Sequence, residues 1–102
     1  MDQLRKIPFK RMSRTDMESG IKTCTARARP MAAPGDRFYA FGGMYAITAV
    51  TQMPLAKVQS QRWQAEGCDS PQDFEIEWEE IHPRRGFDPA QQVYVHDFRR
   101  AD

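Results

Sequence analysis

The strongest structural signal in the chain is residues 37–52, which read RFYAFGGMYAITAVTQ. Two runs rich in aromatic and β-branched residues, 37–41 and 44–52, are separated only by Gly42 and Gly43. The residue types of both runs favour strands. Glycine adopts the positive backbone φ angles that tight hairpin turns need. The segment therefore predicts a β-hairpin whose turn is Gly42-Gly43.

Shorter strands are predicted on both sides of this hairpin. Residues 4–9 contain Pro8, which suits an edge strand because proline cannot donate to a sheet ladder. Residues 23–29 alternate small and polar side chains, and residues 93–98 alternate apolar and polar ones. Both patterns are typical of strands. The intervening segment 30–36 holds two prolines and a glycine, which predicts a loop.

Two helices are predicted from their boundary residues. Residues 10–19 are followed by Gly20, and glycine is favoured just past a helix end. Residues 54–66 begin with Pro54, which suits the first turn of a helix, and are followed by Gly67.

A third helix is predicted to follow Ser70 and to stop before Pro83. Ser70 precedes Pro71, with an aspartate three residues later, which is the pattern of a helix start. Residues 74–78 also alternate strictly, as a strand does, so the two signals conflict. We favour a helix because of the capping residues and the many acidic side chains.

Length and composition leave room for one domain spanning residues 1–102. The chain has 102 residues, of which 40% are apolar, and a chain of this size builds a single core. Short strands, a hairpin, inserted helices and a closing strand predict a small mixed β-barrel of the α+β class. We expect about five to six strands, with two to three helices packed at the side of the barrel.

Charge is unevenly distributed along the chain. Residues 1–37 carry nine basic and four acidic groups, whereas residues 38–83 carry two basic and seven acidic groups. Eleven of the fifteen cations are arginine, which makes bidentate contacts to phosphate. The pattern fits a surface that attracts phosphate, and it fits equally a solvated surface with internal ion pairs.

The sequence contains no signal for a membrane, a metal or a cofactor. No apolar run approaches the roughly 18 residues of a membrane span, and the amino end has no secretory pattern, so we expect a cytoplasmic protein. Cys24 and Cys68 lack a Cys-x-x-Cys spacing and are expected to be free thiols. His82 and His96 have no partner at metal-ligand spacing.

A series of landmarks resembles the ASCH domain. The most specific is Gly-Ile-Lys-Thr-Cys-Thr-Ala-Arg at residues 20–27. The others follow in order and are Gly35-Asp36, residues 47–50, Ala65-Glu66-Gly67, Phe74 with Trp78, and residues 93–98. The resemblance covers about residues 5–100. It implies a PUA-like β-barrel with a cleft between the barrel and its helices.

The resemblance also implies an activity. Small bacterial members of about this length are amidohydrolases that deacetylate N4-acetylcytidine with a lysine, a threonine and a glutamate. On this sequence the three roles fall on Lys22 as base, Thr25 as nucleophile and Glu66 as proton donor. The implied enzyme is a hydrolase of a linear amide, and its partner is a nucleoside or RNA. Other family members bind or cut RNA, so the family does not fix one activity.

Strand geometry constrains how these residues meet. Residues three apart on a regular strand point to opposite faces, so Lys22 reaches Thr25 only if it sits in the bend after Gly20. Thr23, Thr25 and Arg27 share one face by the period of two, and this face is the predicted wall of the cleft.

Further contacts to substrate or RNA are expected from Thr23, Arg27, Arg29 and Tyr39. Trp63 and Trp78 are instead predicted to lie in the core, because they stand at helical spacing.

Two alternatives to catalysis stay open. The arginine-rich first third suits a PUA-like RNA-binding module without an active site, for which binding falls as salt rises. The acidic segment 69–80 suits a protein-binding adaptor. A module of either kind needs no Lys22, Thr25 and Glu66 around one pocket.

Overall fold

A computed structural model describes residues 2–102 of the protein. This part of the chain forms five strands and three α-helices, and a short 3₁₀ turn at Arg11–Ser13 leads into the first helix. In chain order the elements are β1 (Leu4–Arg5), α1 (Arg14–Glu18), β2 (Cys24–Arg27), β3 (Arg37–Ala40), β4 (Gly43–Pro54), α2 (Leu55–Gln61), α3 (Pro71–Ile81) and β5 (Gln92–Arg100).

The strands form one mixed sheet in the order β1-β3-β4-β5-β2. Strand β1 pairs in parallel with β3, and the other three pairings are antiparallel. The α+β class, the mixed sheet and the number of elements are as predicted from sequence. The sheet is not a closed barrel, however, since β1 and β2 do not pair with each other in the described part of the chain.

The outer edge of β2 explains why the sheet stays open. The backbone N–H groups of Thr23 and Cys24 both donate to the carbonyl of Ala65, at 2.8 and 3.2 Å. The N–H of Ala26 donates to a carboxylate oxygen of Glu66 at 2.8 Å. The turns that follow α2 therefore occupy the positions where a closing strand would bond.

The hairpin is confirmed, but its turn lies one residue earlier than expected. Ala40 pairs with Gly43, so the turn residues are Phe41 and Gly42, with φ angles of 52° and 78°. Two positive φ values are the hallmark of a type I′ turn. Gly43 belongs instead to β4, where a side chain would collide with the guanidinium of Arg100.

Gly42→Ala is expected to lower the free energy of unfolding by about 1 to 2 kcal/mol. A Cβ at Gly42 has open space around it, so the cost comes from the backbone conformation alone. Gly42→Asn is the matched control, and it should cost less because asparagine tolerates this conformation. Urea denaturation of the three proteins measures the order. Equal midpoints for wild type and Gly42→Ala would contradict the turn assignment.

Residues 74–78 are helical, as the capping residues predicted. The N–H of Asp73 donates to Oγ of Ser70 at 3.0 Å. Ser70 therefore caps α3, whose first residue is Pro71. Helix α2 is shorter than predicted and ends at Gln61 instead of residue 66. Residues 62–67 form turns instead, and their backbone bonds to β2 replace further helical bonds.

Two hydrophobic clusters lie on opposite sides of the sheet, because Val95 and Phe98 on β5 point to opposite faces. The first cluster packs α2 and α3 against β2 and β5, and Trp63 and Trp78 belong to it as expected. The second cluster contains Ile7, Met17, Phe38, Tyr45, Ile47 and Phe98. Among residues 2–102, no helix has the length and apolar character needed to cross a membrane.

His96 is a fully buried side chain that ties β2 and β5 to the loop at residues 30–36. Its Nε2 accepts a hydrogen bond from the N–H of Met31 at 2.9 Å, so this nitrogen carries no proton. Its Nδ1 therefore holds the proton and faces the carbonyl oxygens of Tyr94 and Thr25, at 3.0 and 3.2 Å. Burial lowers the pKa of His96, and the nearby Arg27 lowers it further.

The free energy of unfolding is expected to fall on acidification below about pH 6.5. In this range the histidine is protonated in the unfolded chain, whereas His96 in the folded protein stays neutral. A lowered folded-state pKa makes the loss start at the unfolded value and continue down to the folded one. The slope contributed by His96 is at most about 1.4 kcal/mol per pH unit.

This pH dependence is checked by urea denaturation at several pH values between 5 and 7.5. His96→Gln is expected to flatten the slope. The pKa of His82 is also lowered, chiefly by burial. His82→Gln is therefore the matched comparison, and it is expected to remove the part of the slope that His82 contributes. A slope that His96→Gln leaves unchanged would contradict the assignment of a neutral buried imidazole.

Candidate active site

Lys22 lies in the bend between α1 and β2. Gly20 has a φ of 82°, which turns the chain at the end of α1. The N–H of Lys22 then donates to the carbonyl of Asp16 at 2.9 Å and holds the bend closed. Because β2 begins only at Cys24, Lys22 is free of strand geometry. This is the position that strand geometry requires if Lys22 is to approach Thr25.

Glu66 lies in the turns that follow α2, and these turns position its side chain. Its N–H donates to the carbonyl of Arg62 at 3.0 Å, and the preceding carbonyl, of Ala65, is bonded to the start of β2. The next residue, Gly67, has a φ of 86° and passes close to Lys22, where a Cβ would lie 3.3 Å from the lysine Cβ. The close approach of the two chain segments brings the lysine and the glutamate together.

Lys22 and Glu66 form a buried ion pair. The lysine Nζ donates to Glu66 Oε1 at 3.2 Å and to the Glu66 backbone carbonyl at 2.8 Å. Their side chains are only 9% and 8% exposed. The second carboxylate oxygen accepts from the N–H of Ala26 at 2.8 Å and faces the thiol of Cys24 at 3.6 Å. Every polar atom of the pair is thus bonded, as burial of charge demands.

Thr25 occupies β2 beside this pair and is almost fully buried. Its Oγ1 accepts a hydrogen bond from Nε of Arg27 at 3.0 Å. The guanidinium of Arg27 also donates to the carbonyl of Pro8 at 2.6 Å and lies over the ring of Phe9, 5.0 Å from its centroid. Burial lowers the pKa of Arg27, while Glu66 opposes that shift. A cation is therefore fixed next to the threonine hydroxyl.

A cavity of about 630 Å³ opens onto these side chains, and Lys22, Thr25 and Glu66 all line it. Volumes of this order accommodate small organic ligands. The opposite wall comes from α3 and from the segment before α1, and it includes Phe9, Met12, Trp78, Ile81 and His82. The rings of Trp78 and His82 lie 4.3 Å apart by their centroids. The trio thus faces a wall in which apolar and aromatic side chains alternate with the acids Asp73, Glu77 and Glu80 of α3.

The other predicted binding residues do not lie around one cavity. Arg27 lines the cavity, but Thr23 does not, contrary to the expectation that it shares a wall with Thr25. Thr23 precedes β2, is exposed, and borders a smaller hollow of about 180 Å³. Arg29 is exposed beyond the end of β2, and Tyr39 is exposed on β3, so neither borders the cavity. Their roles in binding stay predictions.

Several residues line the cavity that were not predicted from sequence to lie there. Cys68 is a free thiol that donates to Glu77 at 2.8 Å, and burial raises its pKa. Trp78 was expected in the core and does pack there, but it also forms part of the cavity wall. A usable signal was the spacing of Asp73, Glu77 and Glu80, which places three acids on one face of α3.

No cluster of three or more potential metal ligands occurs among residues 2–102.

The strand order, the helices and the cavity between them define an ASCH-like α+β fold. An ASCH domain from Lactobacillus crispatus is similar to this chain with a TM-score of 0.66 and 12% identity, over 97% of this chain and 79% of that one. No family model matches the sequence, and neither does any curated protein. The assignment of the fold therefore rests on structure.

Two further solved structures resemble the chain. A protein from Enterococcus faecalis described under the family DUF984 has a TM-score of 0.67 and 22% identity, over 99% of this chain and 80% of that one. A hypothetical protein, PH0355, has a TM-score of 0.70 and 11% identity, over 99% of this chain and 100% of that one. At these identities the similarity establishes the fold and leaves the activity open.

Proposed function

We propose that this protein is an amidohydrolase that removes the acyl group from N4-acetylcytidine or a related acylated nucleoside. The observation that carries the proposal is the buried Lys22–Glu66 pair, which lines one cavity together with Thr25. Three residue types that amide hydrolysis uses as base, acid and nucleophile thus meet around a space of suitable size.

The nucleophile in this proposal is the Thr25 hydroxyl. A threonine hydroxyl is unreactive near neutral pH unless a neighbouring base removes its proton. The Nε–H of Arg27 already points at Thr25 Oγ1, at 3.0 Å. A fixed positive charge at this position favours the oxygen as negative charge develops on it, and burial strengthens the effect.

Transfer of one proton from Lys22 to Glu66 generates both the base and the acid of the proposed reaction. Transfer of a proton along their 3.2 Å contact converts ammonium and carboxylate into a neutral amine and a carboxylic acid. The amine then accepts the proton of Thr25 while Oγ1 bonds to the amide carbon. The carboxylic acid gives its proton to the departing exocyclic nitrogen as the C–N bond breaks. Acylation therefore returns the pair to its ionised form.

The second half of the reaction uses water in place of the nucleoside. Water attacks the acyl-threonine ester, the bond between the acyl carbon and Oγ1 breaks, and Oγ1 takes one proton from the water. The carboxylic acid that forms loses its proton to solvent, so the two halves together yield free cytidine, a carboxylate and one proton. The aromatic wall of Phe9, Trp78 and His82 suits the planar base of such a substrate.

The proposal is tested by incubating purified protein with N4-acetylcytidine and quantifying cytidine by chromatography. Cytidine release in proportion to protein concentration is the expected result. Release no faster than in buffer alone would contradict the proposal. N4-acetylcytosine, which lacks the sugar, is a useful second substrate because it keeps the amide and the ring.

A further inference from the structure

The charges around the cavity are strongly unbalanced. Six acidic residues line it, against three cations, Lys10, Lys22 and Arg27. Lys22 and Glu66 neutralise each other. The other five acids make no salt bridge within residues 2–102, and they are Asp16, Asp69, Asp73, Glu77 and Glu80. The cavity therefore presents a net negative wall to anything that enters it.

Helix α3 contributes most of this charge. Asp73, Glu77 and Glu80 follow each other at spacings of four and three residues, so they share the face that lines the cavity. The helix contains no basic residue. The carboxylate of Glu77 is bonded to the neutral thiol of Cys68, whose pKa is raised by burial, so the thiol does not offset its charge.

Trp78, in the same wall, carries a hydrogen-bond donor without a partner among the described residues. Trp78 is 4% exposed, and its indole N–H has no hydrogen-bond partner among the described residues. Buried donors are normally paired, and a ligand carbonyl oxygen would supply the missing acceptor if the Trp78 ring turned its N–H toward the cavity. Both features suit an uncharged planar ligand and oppose an anionic one.

We infer that the acidic face of α3 selects against phosphorylated ligands, so that the cavity takes a free nucleoside or base in preference to a nucleotide. The inference rests on the proposed function for the identity of the ring. A phosphate adds up to two negative charges to a ligand, and like charges brought together at a binding surface are strongly unfavourable. The same repulsion acts on the phosphates of an RNA chain, which disfavours the RNA-binding alternative at this cavity.

The test compares cytidine with cytidine 5′-monophosphate by isothermal titration calorimetry at low ionic strength. Wild type is expected to bind the nucleoside at least about tenfold more tightly. Added salt should narrow the difference, because screening weakens the repulsion. Since binding is measured without turnover, this preference can be tested even if the proposed hydrolysis fails.

A matched pair of charge reversals on α3 locates the effect. Glu80→Lys changes a residue that lines the cavity, whereas Glu79→Lys changes its exposed neighbour, which does not. Both variants have the same net charge. Glu80→Lys is expected to reduce the preference for the nucleoside at least about threefold, and Glu79→Lys is expected to leave it unchanged.

Each outcome of the comparison is decisive. A tenfold preference that only Glu80→Lys reduces supports the inference, whether or not N4-acetylcytidine is hydrolysed. Equal affinity of wild type for the two ligands, equal responses of the two variants, or no binding of cytidine would overturn it. Hydrolysis of N4-acetylcytidine together with any of these results would leave the proposed function standing alone.

Discussion

Replacing Thr25 by alanine is expected to lower kcat for N4-acetylcytidine about a thousandfold or more. The substitution removes the hydroxyl that β2 contributes to a residue lining the cavity, and this hydroxyl is the nucleophile of the proposed reaction. Lys22, Glu66 and Arg27 remain, but without a nucleophile they have no covalent step to assist. The rate is measured as cytidine formed per mole of protein under saturating substrate.

Two further variants separate chemistry from folding. Thr25→Ser keeps a hydroxyl at the same position and is expected to retain part of the activity. Thr51→Ala removes an exposed hydroxyl on β4 and should behave as wild type. Urea denaturation of Thr25→Ala shows whether it is folded. A folded Thr25→Ala protein with near wild-type kcat would exclude Thr25 as the nucleophile, whatever the substrate.

Glu66→Ala is expected to lower the free energy of unfolding by about 3 to 5 kcal/mol. Removing the carboxylate leaves the buried ammonium of Lys22 without its counter-charge and the N–H of Ala26 without its acceptor. An unpaired buried charge is among the costliest defects in a folded protein. Since small domains are stable by only about 5 to 15 kcal/mol, the shift should be plain in the urea midpoint.

The exposed pair Arg14–Glu18 on α1 provides the control. Its atoms lie 3.0 Å apart, similar to the 3.2 Å of the buried pair, but both side chains are in solvent. Glu18→Ala is expected to cost no more than about 0.5 kcal/mol. The double variant Lys22→Met with Glu66→Leu should be more stable than Glu66→Ala, because it removes both charges. Equal losses for Glu66→Ala and Glu18→Ala would show that burial of the pair has no energetic role.

The parts of the fold that sequence predicted well are those fixed by local signals. The hairpin follows from two β-prone runs around a glycine, and α3 follows from Ser70 and Pro71 at its start. The end of α2 was wrong because Gly67 marks the last of several turns and not the helix end. Those turns exist because Ala65 bonds to β2, a contact across some 40 residues of chain that no local pattern encodes.

Prediction of the site was uneven for the same reason. The resemblance supplied Lys22, Thr25 and Glu66, and the structure brings all three to one cavity. The placement of Thr23 failed because the period of two was applied one residue before the strand begins. The far wall, formed by residues such as Trp78, depends on how α3 packs beside the segment that precedes α1, and this packing is a tertiary property.

The turns at residues 62–67 also guard the sheet against self-association. An uncovered edge strand invites pairing with another molecule, and the amides of β2 would form such an edge if Ala65 and Glu66 did not occupy them. Shortening this segment would therefore promote aggregation through β2 in addition to removing the glutamate. One short stretch of chain therefore both covers the edge of β2 and places Glu66 beside Lys22, so two separate contacts constrain its length.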